Sequence, residues 1–331
     1  MTWRELYDRA LASDEAAAGN YNRNVRVATV DGTVNVRIPL AAADAMDVRL
    51  WREEEVLARI EPYVGRIPEL RHVSGEPRFQ VHRFIEGRVL DGFSPRHSPV
   101  PGHLLDDVVT LMDQLTRVPS GAAPALSARW PAPGDTAAFG RLLAGLTYDI
   151  HSAHGSEYGE VFAALGVPED PLAVVESRWD TLTPRPFAVL HGDLHRKNMI
   201  VSDGKTWFLD WELALWGDPM YEIGIHFHKM DYPQDQRTEV LRRWRERLPA
   251  RYTAGPDADL DLYLAHEQIK SAIVDTIRYS RQSAAATDPD RKQWFVGRLT
   301  RTVNTARRVW GSPADLTHVQ VAEALAPWWK V

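Results

Sequence analysis

Two acids and an amide lie close together in one segment of this chain, in an order suited to phosphoryl transfer. Residues 191–198 read HGDLHRKN, and Asp210 follows twelve residues after Asn198. An aspartate such as Asp193 can orient a hydroxyl group and accept its proton. Amide and carboxylate oxygens such as those of Asn198 and Asp210 can hold Mg²⁺ against the phosphates of a nucleotide. These residue types therefore predict a site for phosphate transfer.

A hairpin between Asn198 and Asp210 would bring these groups together. Two β-prone runs flank Asp203-Gly204, which is a strong signal for a tight turn. A two-residue loop would place Asn198 opposite Leu209, and a loop longer by one residue would place it opposite Asp210. In either register the predicted metal ligands lie side by side where the hairpin opens, and Asp193 lies in the loop that enters it. Each residue taken alone has a structural alternative, because Asn and Asp at strand ends also cap turns.

The pattern HGDLHxxN, followed by a hydrophobic strand, DWE and GDPxYE, resembles the aminoglycoside phosphotransferase and choline kinase group. These are small-molecule kinases with a fold like that of eukaryotic protein kinases. The resemblance implies an α+β, two-lobed fold, with a small mixed N-lobe at residues 1–86 and a larger, mainly helical C-lobe at residues 87–331. It also implies that Asp193 is the catalytic base and that Asn198 and Asp210 are the metal ligands.

The same resemblance implies supporting roles for residues around the motif. His191 would hold the catalytic loop, Asp218 would brace it, and His195 would lie close to the metal site. The pair Arg196-Lys197 departs from the commoner Pro-Gly of the family. Its two open interpretations are solvated loop charges and a contact with the phosphates.

The predicted N-lobe lacks a lysine, because none precedes Lys197. Kinase-like N-lobes normally use a lysine on the third strand to bind the phosphates. The strand patterns on both sides of a tight turn at Asp31-Gly32 place Arg37 at the position of this lysine. Arginine can bind phosphate in a bidentate manner. Apolar spacing predicts a helix over residues 46–60, whose Glu53 the family pattern aligns as the partner of Arg37. A solvent-facing Arg37 on an edge strand is the alternative.

Four further positions are candidates for nucleotide contacts. Gly19 and Asn22 belong to a segment similar to the Gly-x-x-Asn turn with which kinases of this group cover the phosphates. Backbone groups near His82 and Phe84 are expected to form hydrogen bonds with the nucleobase. Backbone recognition leaves little trace in a sequence, so ATP and GTP are both open as phosphate donors.

The acceptor is expected to be a small molecule that carries a hydroxyl group. Only six residues separate Asp210 from Gly217, and neither DFG nor APE occurs, so there is no room for a protein-kinase activation segment. An antibiotic is the favoured acceptor. A metabolite of the choline, homoserine or sugar type and a catalytically silent, ligand-sensing protein are the alternatives. Candidate carboxylates for acceptor binding are Asp257, Glu267 and Asp275.

Helical periodicity dominates after Gly87, and Pro- and Gly-rich residues 118–134 predict a loop. His226 and His228 are assigned to helix packing rather than to a metal site. The predicted helices cover residues 104–115, 136–146, 170–182, 236–247, 260–279, 291–309 and 319–328.

Composition excludes several classes of protein. The chain has 331 residues, of which 44% are hydrophobic and 25% charged, as in soluble globular proteins. It contains no cysteine, which excludes disulfides and thiolate metal sites. No apolar run approaches the roughly 18 residues of a membrane span. The N-terminus does not resemble a signal peptide. The net charge of −6 argues against nucleic acid as a partner. We therefore expect a cytoplasmic enzyme that uses Mg²⁺ and ATP or GTP; the oligomeric state stays open.

Overall fold

The structure, a computed structural model, describes residues 1–14, 16–18, 22–40, 49–122 and 130–330. The described strands are β1 (Ala16–Ala18), β2 (Asn22–Thr29), β3 (Gly32–Pro39), β4 (Leu70–Gly75), β5 (Arg78–Arg83), β6 (Arg88–Val89), β7 (Ala188–Leu190), β8 (Met199–Ser202), β9 (Lys205–Phe208) and β10 (Leu215–Gly217). The described helices are α1 (Trp3–Leu11), α2 (Glu53–Ile60), α3 (Gly102–Leu115), α4 (Thr136–Ala164), α5 (Ala173–Glu176), α6 (Pro219–Met230), α7 (Gln234–Arg247), α8 (Ala250–Thr253), α9 (Asp257–Ala285), α10 (Pro289–Val309) and α11 (His318–Leu325).

The chain divides into two compact units. Unit 1 comprises Met1–Ala128 and Pro186–Thr253, and unit 2 comprises Arg129–Arg185 and Ala254–Val331. Antiparallel sheets and helices together confirm the predicted α+β class. The lobe boundary predicted between residues 86 and 87 falls within unit 1 and stays a prediction. Among the described helices, none combines the length and the apolar character that a membrane crossing requires.

The main sheet of unit 1 has five antiparallel strands in the order β1-β2-β3-β5-β4. Alternate residues of β2, β3 and β5 face a core that α1 completes with Leu6 and Ala10. The turn between β2 and β3 contains Val30 and Asp31, one residue earlier than predicted, because Gly32 already pairs with Thr29 in the ladder. Gly32 has φ +115°, a conformation that glycine adopts without steric cost.

Helix α2 is shorter than predicted. It begins at Glu53, whereas residues 49–52 are not helical and residues 46–48 lie outside the described part of the chain. Three glutamates in its first turn explain this start, since negative side chains are stabilised at a helix N-terminus. The shift makes Glu53 the first residue of the helix.

The hairpin of β8 and β9 adopts the two-residue loop. Asp203 and Gly204 have φ values of +48° and +69°, as in a type I′ turn. The ladder pairs Met199 with Phe208, and the Leu209 N–H donates to the Asn198 carbonyl oxygen at 2.8 Å. Asn198 therefore lies opposite Leu209, and the longer-loop register is not adopted.

Unit 2 consists mainly of the long helices α4, α9 and α10. Helix α4 continues to Ala164, well beyond the predicted end at residue 146. The single helix predicted over residues 170–182 is wrong: this segment holds only α5 and a 3₁₀ turn at Trp179–Thr181. The Trp179 ring is fully buried directly over Gly140, where any Cβ would collide with it, so tertiary packing overrides the helical periodicity. The other predicted helices are present. Helix α9 is longer than predicted at both ends, and the remaining helices differ from the predictions by at most three residues at either end.

Candidate active site

The carboxylate of Asp193 is held at both oxygens. Oδ2 accepts a hydrogen bond from Asn198 Nδ2 at 3.0 Å and lies 3.4 Å from His195 Nε2. Oδ1 forms an ion pair with Nζ of Lys229, a residue for which no role was predicted from the sequence. Burial opposes ionisation here, but Lys229 and His195 outweigh it and lower the pKa of Asp193 well below its usual range. Asp193 is therefore ionised and fixed in orientation.

His191 ties the loop of Asp193 to the end of the hairpin. Its Nδ1 accepts the Asp193 backbone N–H at 3.2 Å, so its Nε2 carries the proton and donates to the Leu209 carbonyl at 3.0 Å. The ring is buried and lies 4.4 Å, between ring centroids, from Trp211. Burial lowers the pKa of His191 to about 4, which keeps the ring neutral and its Nδ1 able to accept.

Glu222 braces the catalytic loop, a role that was not predicted from the sequence. Its Oε2 accepts the Gly192 backbone N–H at 3.0 Å, and burial raises the pKa of this carboxyl to about 7. Asp218, which was expected to brace the loop, caps α6 by accepting the Met220 N–H at 2.9 Å. A sequence signal for Glu222 was present, because it is the last residue of the motif GDPxYE. It lies four positions after Asp218, one turn along the same helix face.

Arg196 is a structural residue. It was expected to be a solvated loop charge or a phosphate contact, but its side chain is buried and donates to the carbonyl oxygens of Met230, Ser94 and Ser98 at 2.7–3.0 Å. Backbone carbonyls in a buried turn need donors, and a guanidinium supplies several at once. Its neighbour Lys197 is exposed.

Asn198 and Asp210 offer oxygen atoms that suit Mg²⁺. Asn198 Nδ2 donates to both the carbonyl oxygen and Oδ2 of Asp193, which leaves Asn198 Oδ1 as the atom available to a cation. Asp210, with φ +66°, uses Oδ1 for Arg37 and keeps Oδ2. Among the described residues, no three His, Asp or Glu side chains form a metal cluster by themselves. A pair of hard oxygen ligands still fits Mg²⁺, which usually completes its shell with waters and phosphate oxygens.

Arg37 lies inside unit 1 rather than on a solvent-facing edge. Its guanidinium forms ion pairs of 2.8 Å with both Glu53 and Asp210. Burial disfavours the charged form, but the two carboxylates outweigh it and raise the pKa of Arg37. Glu53 Oε1 also accepts the Trp211 backbone N–H at 3.0 Å, so Glu53 anchors both the arginine and the DWE segment.

Asn22 contacts Glu212, the last residue of DWE. Asn22 Nδ2 donates to Glu212 Oε2 at 3.0 Å, and burial next to Asp210 raises the pKa of Glu212 to about 8. A polar cleft of about 400 Å³ opens here, and its lining includes Asn22, Arg37, Glu53 and Glu212. Gly19 lies outside the described residues. The nucleotide-binding roles of Gly19, Asn22, Arg37 and Glu53 stay predictions.

His82 and Phe84 lie at the end of β5 and just after it. The His82 ring is buried, lies 2.9 Å from Gln80 Oε1, and has its pKa lowered to about 3 by burial. The N–H groups of Arg83 and Phe84 donate to the carbonyls of Glu69 and Thr33. A nucleobase bound here would therefore have to form hydrogen bonds with other backbone groups of this segment. The role of His82 and Phe84 in nucleotide binding stays a prediction.

The three candidate acceptor residues lie on α9 in unit 2. Asp257 is exposed at the start of the helix. Glu267 is buried and pairs with Lys270 Nζ at 2.5 Å, and Asp275 accepts from Arg278 and Thr302 at 3.2 and 3.1 Å. Each carboxylate occupies a separate part of the helix, and the structure does not bring them together. Their role in acceptor binding stays a prediction.

Comparison with known proteins decides the family. Residues 14–259 match the family model of the phosphotransferase enzyme family, APH. The chain belongs to this family. It is thus a phosphotransferase of the small-molecule kinase class, with an alcohol group as acceptor, as the motif predicted. A comparison with curated protein sequences gave no match.

Solved structures confirm the protein-kinase-like fold. Choline kinase LicA from Streptococcus pneumoniae is similar with a TM-score of 0.59 and 14% identity, over 92% of this chain and 98% of that chain. Macrolide 2'-phosphotransferase MphH from Brachybacterium faecium has a TM-score of 0.58 and 15% identity, over 95% and 99% of the two chains. A thermostable mutant of aminoglycoside phosphotransferase APH(4)-Ia, in complex with AMP-PNP and hygromycin B, has a TM-score of 0.56 and 14% identity, over 91% and 97%.

Proposed function

We propose that this phosphotransferase moves the γ-phosphate of ATP or GTP, with Mg²⁺, to a hydroxyl group of a small-molecule antibiotic. One observation carries the proposal: Asp193 is bonded to Asn198 at 3.0 Å, at the base of the hairpin that leads to Asp210. A base candidate and two oxygen ligands are what phosphoryl transfer requires of a protein. Arg37, paired with Asp210 at 2.8 Å, adds a buried cation next to them.

The proposed reaction uses Asp193 to orient the acceptor hydroxyl. As the new bond between the acceptor oxygen and the γ-phosphorus forms, the hydroxyl proton passes to Asp193. The bond from the γ-phosphorus to the bridging oxygen breaks, and the nucleoside diphosphate leaves. Asn198 Oδ1 and Asp210 Oδ2 would hold Mg²⁺, which neutralises phosphate charge when bound. The low pKa of Asp193 suits orientation more than strong proton abstraction, consistent with a loose transition state in which positioning dominates.

An antibiotic acceptor is supported by two of the three similar structures, whose names describe a macrolide and an aminoglycoside phosphotransferase. The third, a choline kinase, favours a choline-type metabolite as the second candidate. Of the candidate acceptor residues, Asp257 is exposed, whereas the side chain of Glu267 is fully buried and that of Asp275 is largely buried. We therefore expect Asp257 to contribute most to the binding of a cationic acceptor. The donor nucleotide is supported by the AMP-PNP complex of APH(4)-Ia.

The test is a coupled turnover assay of purified protein with MgATP and MgGTP. The acceptors are hygromycin B, erythromycin and choline. Acceptor-dependent turnover should fall by about 100-fold or more in Asp193→Ala. The matched control Asp235→Ala, at an exposed position of α7, should keep full activity.

Each outcome of the turnover assay distinguishes the proposed function from one alternative. Turnover with an antibiotic supports the proposal, whereas turnover with choline alone identifies a metabolite kinase. Nucleotide binding without turnover of any acceptor would favour the ligand-sensing alternative. Absence of Mg²⁺-dependent nucleotide binding would contradict the assignment of Asn198 and Asp210.

A further inference from the structure

Helix α6 holds three consecutive residues of the catalytic loop. Glu222 accepts the N–H of Gly192 at 3.0 Å, and His226 Nδ1 donates to the Leu194 carbonyl at 3.0 Å. Between them, Lys229 Nζ pairs with Asp193 Oδ1. The three side chains are spaced i, i+4 and i+7, which places them on one face of the helix. One helix face therefore sets both the backbone path of the loop and the position of its carboxylate.

Lys229 makes the contact that bears directly on the reacting group. The other oxygen of Asp193 is held by Asn198 and His195, whereas Oδ1 is held by Lys229. The lysine belongs to the last turn of α6, where a cation is also favoured by the helix dipole. Its side chain is only 25% exposed, so it is directed into the site rather than to solvent.

We propose that Lys229 is a positioning residue for the phosphoryl transfer: its ammonium holds Asp193 in the orientation that receives the acceptor hydroxyl. This inference rests on the proposed function. The physical reason is that a carboxylate bonded on one side only can rotate away from its partner, whereas charge-assisted bonds on both oxygens fix its plane. Small losses of alignment at a reacting group cost large factors in rate. The rate of phosphoryl transfer should therefore depend on both the charge and the length of the Lys229 side chain.

The absence of cysteine from this chain allows a direct test. Lys229→Cys introduces the only thiol. Alkylation with 2-bromoethylamine forms a carbon–sulfur bond with loss of bromide and restores an ammonium at the length of lysine. Alkylation with iodoacetamide, with loss of iodide, gives a side chain of similar length without charge. Lys205→Cys, at an exposed position of β9, is the matched control for both reagents.

Steady-state turnover of MgATP is measured with whichever of hygromycin B, erythromycin and choline the wild type phosphorylates. Lys229→Cys should lower kcat by about 10- to 100-fold, with KM for MgATP changed by no more than about twofold, as expected when one charged hydrogen bond at the reacting group is lost. Treatment with 2-bromoethylamine should recover most of kcat, and iodoacetamide should not. The Lys205→Cys protein should match the wild type with either reagent.

Several results would overturn the role of Lys229. These are an unchanged kcat in Lys229→Cys, equal recovery with both reagents, or a change confined to KM. Thermal unfolding of the same samples shows whether the variant is folded before and after alkylation. If the wild type turns over none of the acceptors, the proposed function itself fails, and the role of Lys229 falls with it.

Discussion

Arg37 and Asp210 form an ion pair of 2.8 Å although they are 173 positions apart in the chain. The same guanidinium pairs with Glu53 at 2.8 Å and lies 4.0 Å from Glu212. Three carboxylates thus surround one buried arginine. The shared guanidinium ties β3 and α2 to Asp210, and the Leu209 N–H before it donates to the Asn198 carbonyl oxygen. The Arg37 network thereby fixes Asp210 at the end of the hairpin that carries Asn198.

Replacing Arg37 with Met should destabilise unit 1 by about 3–5 kcal/mol, because Glu53 and Asp210 would be left without their shared partner. Urea denaturation measures the loss. Arg4→Met is the control, since the ion pair of Arg4 with Asp8 is exposed and should contribute no more than about 1 kcal/mol. Equal losses in the two variants would show that the Arg37 network does not stabilise the fold.

Asp210→Asn should weaken the binding of MgATP by about tenfold or more, because the carboxylate charge that attracts the cation is removed. Binding of ATP without Mg²⁺ should change much less. Backbone strain does not complicate the result, since asparagine tolerates the positive φ of this position. Asp203→Asn, also at a positive φ but in the exposed turn of the hairpin, is the matched control. Isothermal titration calorimetry with and without Mg²⁺ makes the comparison, and identical losses in both conditions would argue against a metal ligand.

Gly192→Ala should be strongly destabilising and should also reduce turnover. Gly192 has φ +72°, and a Cβ there would lie 2.3 Å from the Leu213 carbonyl oxygen, so the backbone itself must move. The conformational cost alone is about 1 kcal/mol or more. Gly145→Ala, inside α4 with open space around it, should instead stabilise by about 0.5–1 kcal/mol. Opposite signs of the two changes in unfolding free energy are the expected result.

Glu222→Gln should change how stability depends on pH. Burial raises the pKa of Glu222 to about 7, so the folded protein binds this proton more tightly than the unfolded chain does. As pH rises from about 4 to about 7, the free energy of unfolding of the wild type should therefore fall relative to that of Glu222→Gln, by about 3 kcal/mol in total. Above about pH 7 the difference between the two proteins should stay constant. The exposed substitution Glu160→Gln should give no such change. Parallel curves for wild type and Glu222→Gln would contradict the raised pKa.

Local sequence features predicted much of the site. The Asp203-Gly204 turn was enough to predict the hairpin, because type I′ turns require residues that tolerate positive φ. It left two registers open, and only the structure showed that Asn198 lies opposite Leu209. The pairing of Arg37 with Glu53 was also predicted, from the resemblance to the family, whose pattern aligns these two positions. The same reasoning was wrong for the start of α2 and for residues 170–182, where capping charge and the burial of Trp179 outweigh periodicity.

The sequence by itself determined the family, the phosphoryl-transfer chemistry and the three residues proposed to carry it. These depend on residue types at fixed short spacings, which the backbone of one hairpin brings together. His191 was predicted to hold the catalytic loop, but only the tertiary structure showed the other side chains that hold the hairpin and loop in place. Glu222 and Lys229 meet the catalytic loop from a helix 30 or more positions away, and Arg196 is buried against carbonyls from distant turns. Glu222 at least belongs to the motif GDPxYE, but no local pattern distinguishes Lys229 and Arg196 from solvated charges, because their partners are set by packing.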